Sequence, residues 1–130
     1  MTWLILRGKK IAVWGLAFKP DTDDVRFAPA LAIIRQLLDE GATVQAYDPE
    51  AMTVARGIFG SKVTFADNSY SALKGADALA IVTEWNEFRE PDFDRMKKFL
   101  TNPIIFDGRN LYNPESIRAH GFTYVSVGRP

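Results

Sequence analysis

Cysteine is absent from this sequence. Its absence removes disulfides, thiolate metal sites and any thiol nucleophile. Excess charge is absent as well: sixteen Lys and Arg balance sixteen Asp and Glu. A nucleic-acid polymer is therefore not an expected partner, although local basic side chains can still hold a small anion. No apolar run approaches the ~20 residues that a membrane-spanning helix needs. In the N-terminal MTWLILRGKK the apolar part is only Trp3 to Leu6, too short for a signal peptide. No membrane partner is expected, and the cytoplasm is the default location. A dinucleotide loop is also missing. After Ile11–Trp14 only Gly15 of a G-x-G-x-x-G fingerprint is present, with Ala17 and Pro20 at the other glycine positions. The tight turn that brings backbone N–H groups to a pyrophosphate is gone, so ordinary NAD binding across this strand is not expected.

What is present is the pattern of one α/β domain. A chain of 130 residues with 47% hydrophobic and 25% charged residues is ordinary for a globular domain. Short β-branched or alternating runs predict strands at Ile11–Trp14, Thr43–Tyr47, Lys62–Phe65, Ala78–Val82, Pro103–Phe106 and Phe122–Val127. Helical spacing predicts helices at Pro29–Glu40, Glu50–Gly57, Ser69–Lys74, Asp92–Leu100 and Pro114–His120. Pro29 suits a first helical position and Gly41 a stop. This alternation predicts a Rossmann-like three-layer α/β/α sandwich with a mostly parallel sheet of about six strands, for which the order 3-2-1-4-5-6 fits. Residues 1–8 read as a connector, with Leu4, Ile5 and Leu6 free to pack on a preceding segment, and 9–130 as the domain.

The candidate site lies on the loop that leaves the first strand. In an open α/β sheet ligands sit beyond the carboxyl ends of the strands, and here that loop carries Lys19, Asp21, Asp23, Asp24 and Arg26. An ammonium at Lys19 can hold phosphate or a sugar hydroxyl while Phe18 covers a ring. The alternative is a solvated lysine beside a core phenylalanine. The three aspartates lack the Gly-plus-distal-Glu pattern of a calcium loop, and turn formation with pairing to Arg26 or Lys19 is expected instead of a metal. Arg26 has the fork geometry that matches phosphate. Asp48 is read as a turn former with Pro49, Trp85 as packing, and His120 as a helix C-terminal cap. Asp107-Gly108 reads as a turn that carries Arg109 at the same sheet edge.

Four stretches in order, GLAFKPDTDDVR, VQAYDPEAM, TEWNEF and FDGRN, resemble the C-terminal, UDP-binding domain of the UDP-glucose/GDP-mannose dehydrogenase family, nearest its bacterial UDP-glucose-oxidising members. The resemblance covers nearly the whole chain from Lys9 onward. It implies that Phe18, Lys19 and Arg109 contact a UDP-sugar, UDP-glucose or a relative, and that Arg26 reaches NAD held mainly by another domain. It implies an NAD-dependent dehydrogenase that oxidises an alcohol to an acid through a cysteine thiohemiacetal. A chain without cysteine cannot perform that step, so no catalytic residue is assigned and the isolated chain is expected to be inactive. It also implies the remaining domains of the enzyme as partners, and a homo-oligomer. One departure is Phe27, where the family commonly has an acidic residue. The alternatives are a GDP-mannose or UDP-N-acetyl-sugar counterpart and, from another class, a non-enzymic nucleotide-binding regulatory module.

Overall fold

The computed structural model describes residues 6–17 and 28–126. Its centre is a six-stranded sheet in the order β3-β2-β1-β4-β5-β6, with every neighbouring pair parallel. The strands are β1 (Lys10–Trp14), β2 (Thr43–Tyr47), β3 (Thr64–Phe65), β4 (Ala78–Ile81), β5 (Ile104–Asp107) and β6 (Thr123–Ser126). The helices are α1 (Pro29–Asp39), α2 (Met52–Phe59), α3 (Phe93–Phe99) and α4 (Pro114–Ala119). The Rossmann-like order and the parallel sheet are those expected from the alternation of elements.

Register explains the two layers. Phe65, Ala46, Val13, Ala80, Phe106 and Val125 are partners across all six strands and share one face. Along that row burial falls away, from fully buried Val13 to Val125 at 51% exposure. Helix α1 covers the first strands with buried Ala30 and Ile34. It leaves Ile33 and Leu37 beside Leu6, Ala80, Phe106 and Val125 around an apolar cavity of about 380 Å³. The opposite face is sealed. There Trp14 stacks on Phe88 at 4.9 Å and meets the edge of Tyr70 at 6.4 Å, pairings worth about 0.5–1.5 kcal/mol each beyond burial. Phe93 of α3 packs on Tyr112 and Phe122.

Three elements differ from expectation, each for a local reason. The helix expected at Ser69–Lys74 is a single 3₁₀ turn, Ser71–Leu73. Asn68 and Ser71 bond each other's backbone, with Ser71 N donating to Asn68 Oδ1 at 2.8 Å and Ser71 Oγ to the Asn68 carbonyl at 2.9 Å. Such local bonds compete with helix propagation. Helix α2 starts at Met52 rather than Glu50, after a turn in which the N–H groups of Glu50 and Ala51 donate to Asp48 Oδ1, both at 2.8 Å. It then continues past Gly57 into a 3₁₀ turn at Gly60–Lys62, so β3 keeps only two residues. His120 is the C-cap of α4, its carbonyl accepting from Lys97 Nζ at 2.9 Å and its ring against Phe93 at 4.8 Å.

Candidate functional site

The carboxyl ends of β1, β4 and β5 lie side by side, and each continues the ladder by one residue before it turns. Gly15 N donates to the Tyr47 carbonyl, Val82 N to Trp14 and Gly108 N to Ile81, each at 2.9 Å. Gly15 then makes the turn that releases the candidate loop. Its φ of +101° suits glycine, and a Cβ there would lie 2.5 Å from Thr83 Cβ and from Thr83 N. Phe18, Lys19 and Arg26 lie outside the described residues. Their point of departure does not: Leu16 and Ala17 are buried at this edge.

That departure point is held by side chains from two other strands. Asp48, at the end of β2, is fully buried. Its Oδ2 accepts from Leu16 N at 2.7 Å, Ala17 N at 3.1 Å and Trp85 Nε1 at 2.9 Å. With Glu50 and Ala51 on Oδ1, five N–H donors among the described residues surround one carboxylate. No cation is needed to offset the buried charge, because N–H bonds to a carboxylate are charge-assisted. The turn with Pro49 expected at Asp48 is there, but it occupies only one oxygen. Thr83 Oγ1 donates to the Ala17 carbonyl at 2.7 Å. Both peptide groups of Ala17 are thus fixed.

The same carboxylate bears on the dinucleotide loop that the sequence lacks. A dinucleotide bound across β1 and β2 needs an acidic residue at the end of β2 to hold a ribose hydroxyl. In this chain that acid is Asp48, and its acceptor positions are filled by the chain's own N–H groups. Among the described residues, Asp48 thus spends its acceptors on the protein's own backbone and on Trp85 rather than on a ribose hydroxyl.

Arg109 stands where the sequence placed it, at the carboxyl edge beyond β5. Asp107, 1% exposed, accepts from Arg109 N at 2.8 Å, Leu111 N at 2.7 Å and Tyr124 Oη at 2.6 Å. Asn110 turns the chain with φ +58°. The guanidinium is directed to Glu84, with Nη2 to Oε1 at 2.6 Å, and the two side chains stay 39% and 29% exposed. An arginine has five N–H donors, so this pairing leaves capacity for an anion. Trp85 is packed, as expected, and its indole N–H bonds Asp48. Asp48, Thr83, Glu84 and Asp107 were not singled out as site residues. Their shared signal was position, since each is a polar residue at or just after the carboxyl end of a strand.

Two nearby groups have displaced ionisation. Burial first, then the Glu87 carboxylate, pushes the Tyr47 phenol up to about 12, and its Oη lies 3.2 Å from Glu87 Oε1. Tyr112 is also pushed up, by burial and then by Asp107. Among the described residues no group of three or more His, Asp or Glu side chains could hold a metal ion.

Comparison with known proteins places these features. Residues 12–114 match the model of the UDP-glucose/GDP-mannose dehydrogenase family, UDP binding domain. A UDP-glucose 6-dehydrogenase of Rhizobium meliloti (strain 1021) is 50% identical over 125 residues, covering 96% of this chain and 28% of the relative. A UDP-glucose dehydrogenase structure from Pyrobaculum islandicum superposes with TM-score 0.80 at 32% identity, over 96% of this chain and 26% of that one. An NDP-N-acetyl-D-galactosaminuronic acid dehydrogenase structure from Methanosarcina mazei Go1 gives TM-score 0.83 at 31% identity, over 96% of this chain and 26% of that one. The chain therefore spans a little over a quarter of the length of these relatives. By the family match, and by a sheet edge built from the four stretches that suggested it, this chain belongs to the UDP-glucose/GDP-mannose dehydrogenase family, as its UDP-binding domain.

Proposed function

We propose that this chain holds the UDP portion of the substrate in a UDP-glucose 6-dehydrogenase and closes one side of its active site. The complete enzyme oxidises the C6 alcohol of UDP-glucose to the carboxylate with two NAD⁺. Its nucleophile and its dinucleotide domain belong to other parts of the protein, since these 130 residues contain no cysteine. Residues 9–130 form the substrate-holding domain and 1–8 lead into it from the preceding part. Phe18 and Lys19 contact the UDP-sugar from the loop after β1, and Arg109 contacts it from the turn after β5. Arg26 reaches the NAD held elsewhere. The working enzyme is a cytoplasmic homo-oligomer.

The observation that carries this reading is the placement of Arg109. Its solvated guanidinium stands beyond β5, and the root of the Phe18–Lys19 loop lies beyond β1, with only β4 between them. A guanidinium that faces the root of a loop carrying a further cation suits a diphosphate. The test is kinetic. In the complete enzyme, Lys19→Ala raises KM for UDP-glucose about tenfold or more, from a lost charge-assisted contact of ~1.5–3 kcal/mol, and leaves KM for NAD⁺ nearly unchanged. Arg26→Ala shows the opposite bias. Unchanged UDP-glucose kinetics in Lys19→Ala would return Lys19 to the role of a solvated surface residue. The isolated chain binds UDP in preference to GDP and NAD⁺, and forms no NADH from UDP-glucose.

A further inference from the structure

We propose that Thr83-Glu84-Trp85 is a positioning bracket that sets two arms of the nucleotide site, the root of the loop after β1 and the Arg109 turn, against each other. The proposal rests on the UDP-sugar reading and extends it to residues that act through others. Strand β4 lies between β1 and β5, and three consecutive side chains at its carboxyl end each hold a different piece of the site. The Thr83 hydroxyl donates to the Ala17 carbonyl at 2.7 Å, immediately before Phe18 and Lys19. The Trp85 indole donates to Asp48 Oδ2 at 2.9 Å, the same oxygen that takes the N–H groups of Leu16 and Ala17. Glu84 holds the Arg109 guanidinium at 2.6 Å.

The division of labour follows from exposure. Thr83 and Trp85 are buried at 1% and 7%, and they fix the root of one arm from inside. Glu84 remains solvated between them and holds the tip of the other arm. Two arms that converge on a diphosphate bind it well only when their separation is set before it arrives, because each long side chain ordered on binding costs affinity. A carboxylate beside a phosphate site has an electrostatic drawback, since it repels the anion. Its retention at the guanidinium is explained by the orientation it imposes on Arg109. The two effects have opposite signs, which makes them separable.

Steady-state kinetics of the complete enzyme test this. Glu84→Ala raises KM for UDP-glucose by about three- to tenfold, the ordering cost of one freed arginine, and Glu84→Gln, which keeps an acceptor for Arg109, recovers most of the loss. If Glu84 were only a neighbouring negative charge, both variants would lower KM, and that result overturns the bracket. Thr83→Val raises KM by about tenfold, the loss of one buried hydrogen bond, whereas Thr83→Ser stays within about twofold of the parent. A Thr83→Val enzyme with a lower Tm but an unchanged KM also overturns the proposal, because its role is then structural alone. Should Thr83→Val fail to fold, the exposed Glu84 pair decides by itself. Arg109→Ala is the control: if it leaves KM unchanged, the UDP-sugar reading falls. If it raises KM while Thr83 and Glu84 variants do not, only the bracket falls.

Discussion

Replacing Asp48 by asparagine keeps the shape of the side chain almost atom for atom, yet it should be among the most damaging single changes in this chain. The carboxylate has two N–H donors on Oδ1 and three on Oδ2. An asparagine has one carbonyl oxygen and one NH₂ group. In the better orientation its oxygen keeps the three donors, and its NH₂ points at the N–H groups of Glu50 and Ala51. Two charge-assisted bonds are then replaced by donor-to-donor contacts, at ~1.5–3 kcal/mol each, or about 3–6 kcal/mol in sum. That is a large part of the ~5–15 kcal/mol that holds a domain folded. With about 2.1 cal/mol/K of unfolding entropy per residue, the entropy for 130 residues is about 0.27 kcal/mol/K. The expected fall in Tm is therefore about 10–20 °C. Thermal unfolding followed by far-ultraviolet circular dichroism measures it, and urea titration checks that the slope with denaturant is unchanged. A fall of less than about 5 °C would show that the five bonds do not act as a unit and would refute the reasoning.

Three further changes follow from the same geometry. Gly15→Ala meets Thr83 at 2.5 Å and a φ of +101°, so denaturant unfolding should show a loss of about 2–5 kcal/mol from overpacking plus backbone strain. Gly57→Ala, inside α2 with nothing within 4 Å of the new methyl, should stabilise the chain by about 0.5–1 kcal/mol in the same assay. The Tyr47 phenol, pushed up to about 12 from its ordinary value of 10.0, stays neutral in the folded state after the unfolded chain has begun to ionise. Its contribution to stability is complete below pH ~10 and is lost as pH rises through ~12. Glu87→Gln should bring this pKa down without restoring the ordinary value, since burial is the larger cause, and absorbance titration of the phenolate records the shift.

Strand positions were legible because parallel strands buried on both faces are written as short apolar runs, and IAVW and ALAI carry that signal without help from the rest of the chain. Helix ends were legible where proline or glycine marked them, as at Pro29 and Gly41. Elements failed where a side chain outbid the backbone. Nothing in the spacing of Ser69–Lys74 reveals that Asn68 and Ser71 satisfy each other. The same holds for the site. Arg109 could be placed from strand position alone, and the local half of Asp48, its turn with Glu50 and Ala51, follows from an Asp-Pro pair. The other half requires Leu16, 32 positions away, and Trp85, 37 positions away. Separations of that size become visible only when the sheet order is known. The position of Glu84 after the central strand is legible but its pairing is not, because its partner lies on another strand's turn, 25 residues on.

The anchoring of the loop after β1 at both ends bears on how this domain can change over time. On the incoming side Leu16 and Ala17 are buried and bonded to Asp48 and Thr83. On the outgoing side Ala28 and Ala30 are buried at the start of α1. The described residues on either side of 18–27 are thus held to the sheet by burial and bonds of their own. A replacement of equal length within 18–27 leaves the bonds of Asp48 and Thr83 to Leu16 and Ala17 in place. Substrate preference and fold stability are then separately mutable, and a library confined to 18–27 should yield folded variants far more often than one that includes Asp48 or Thr83.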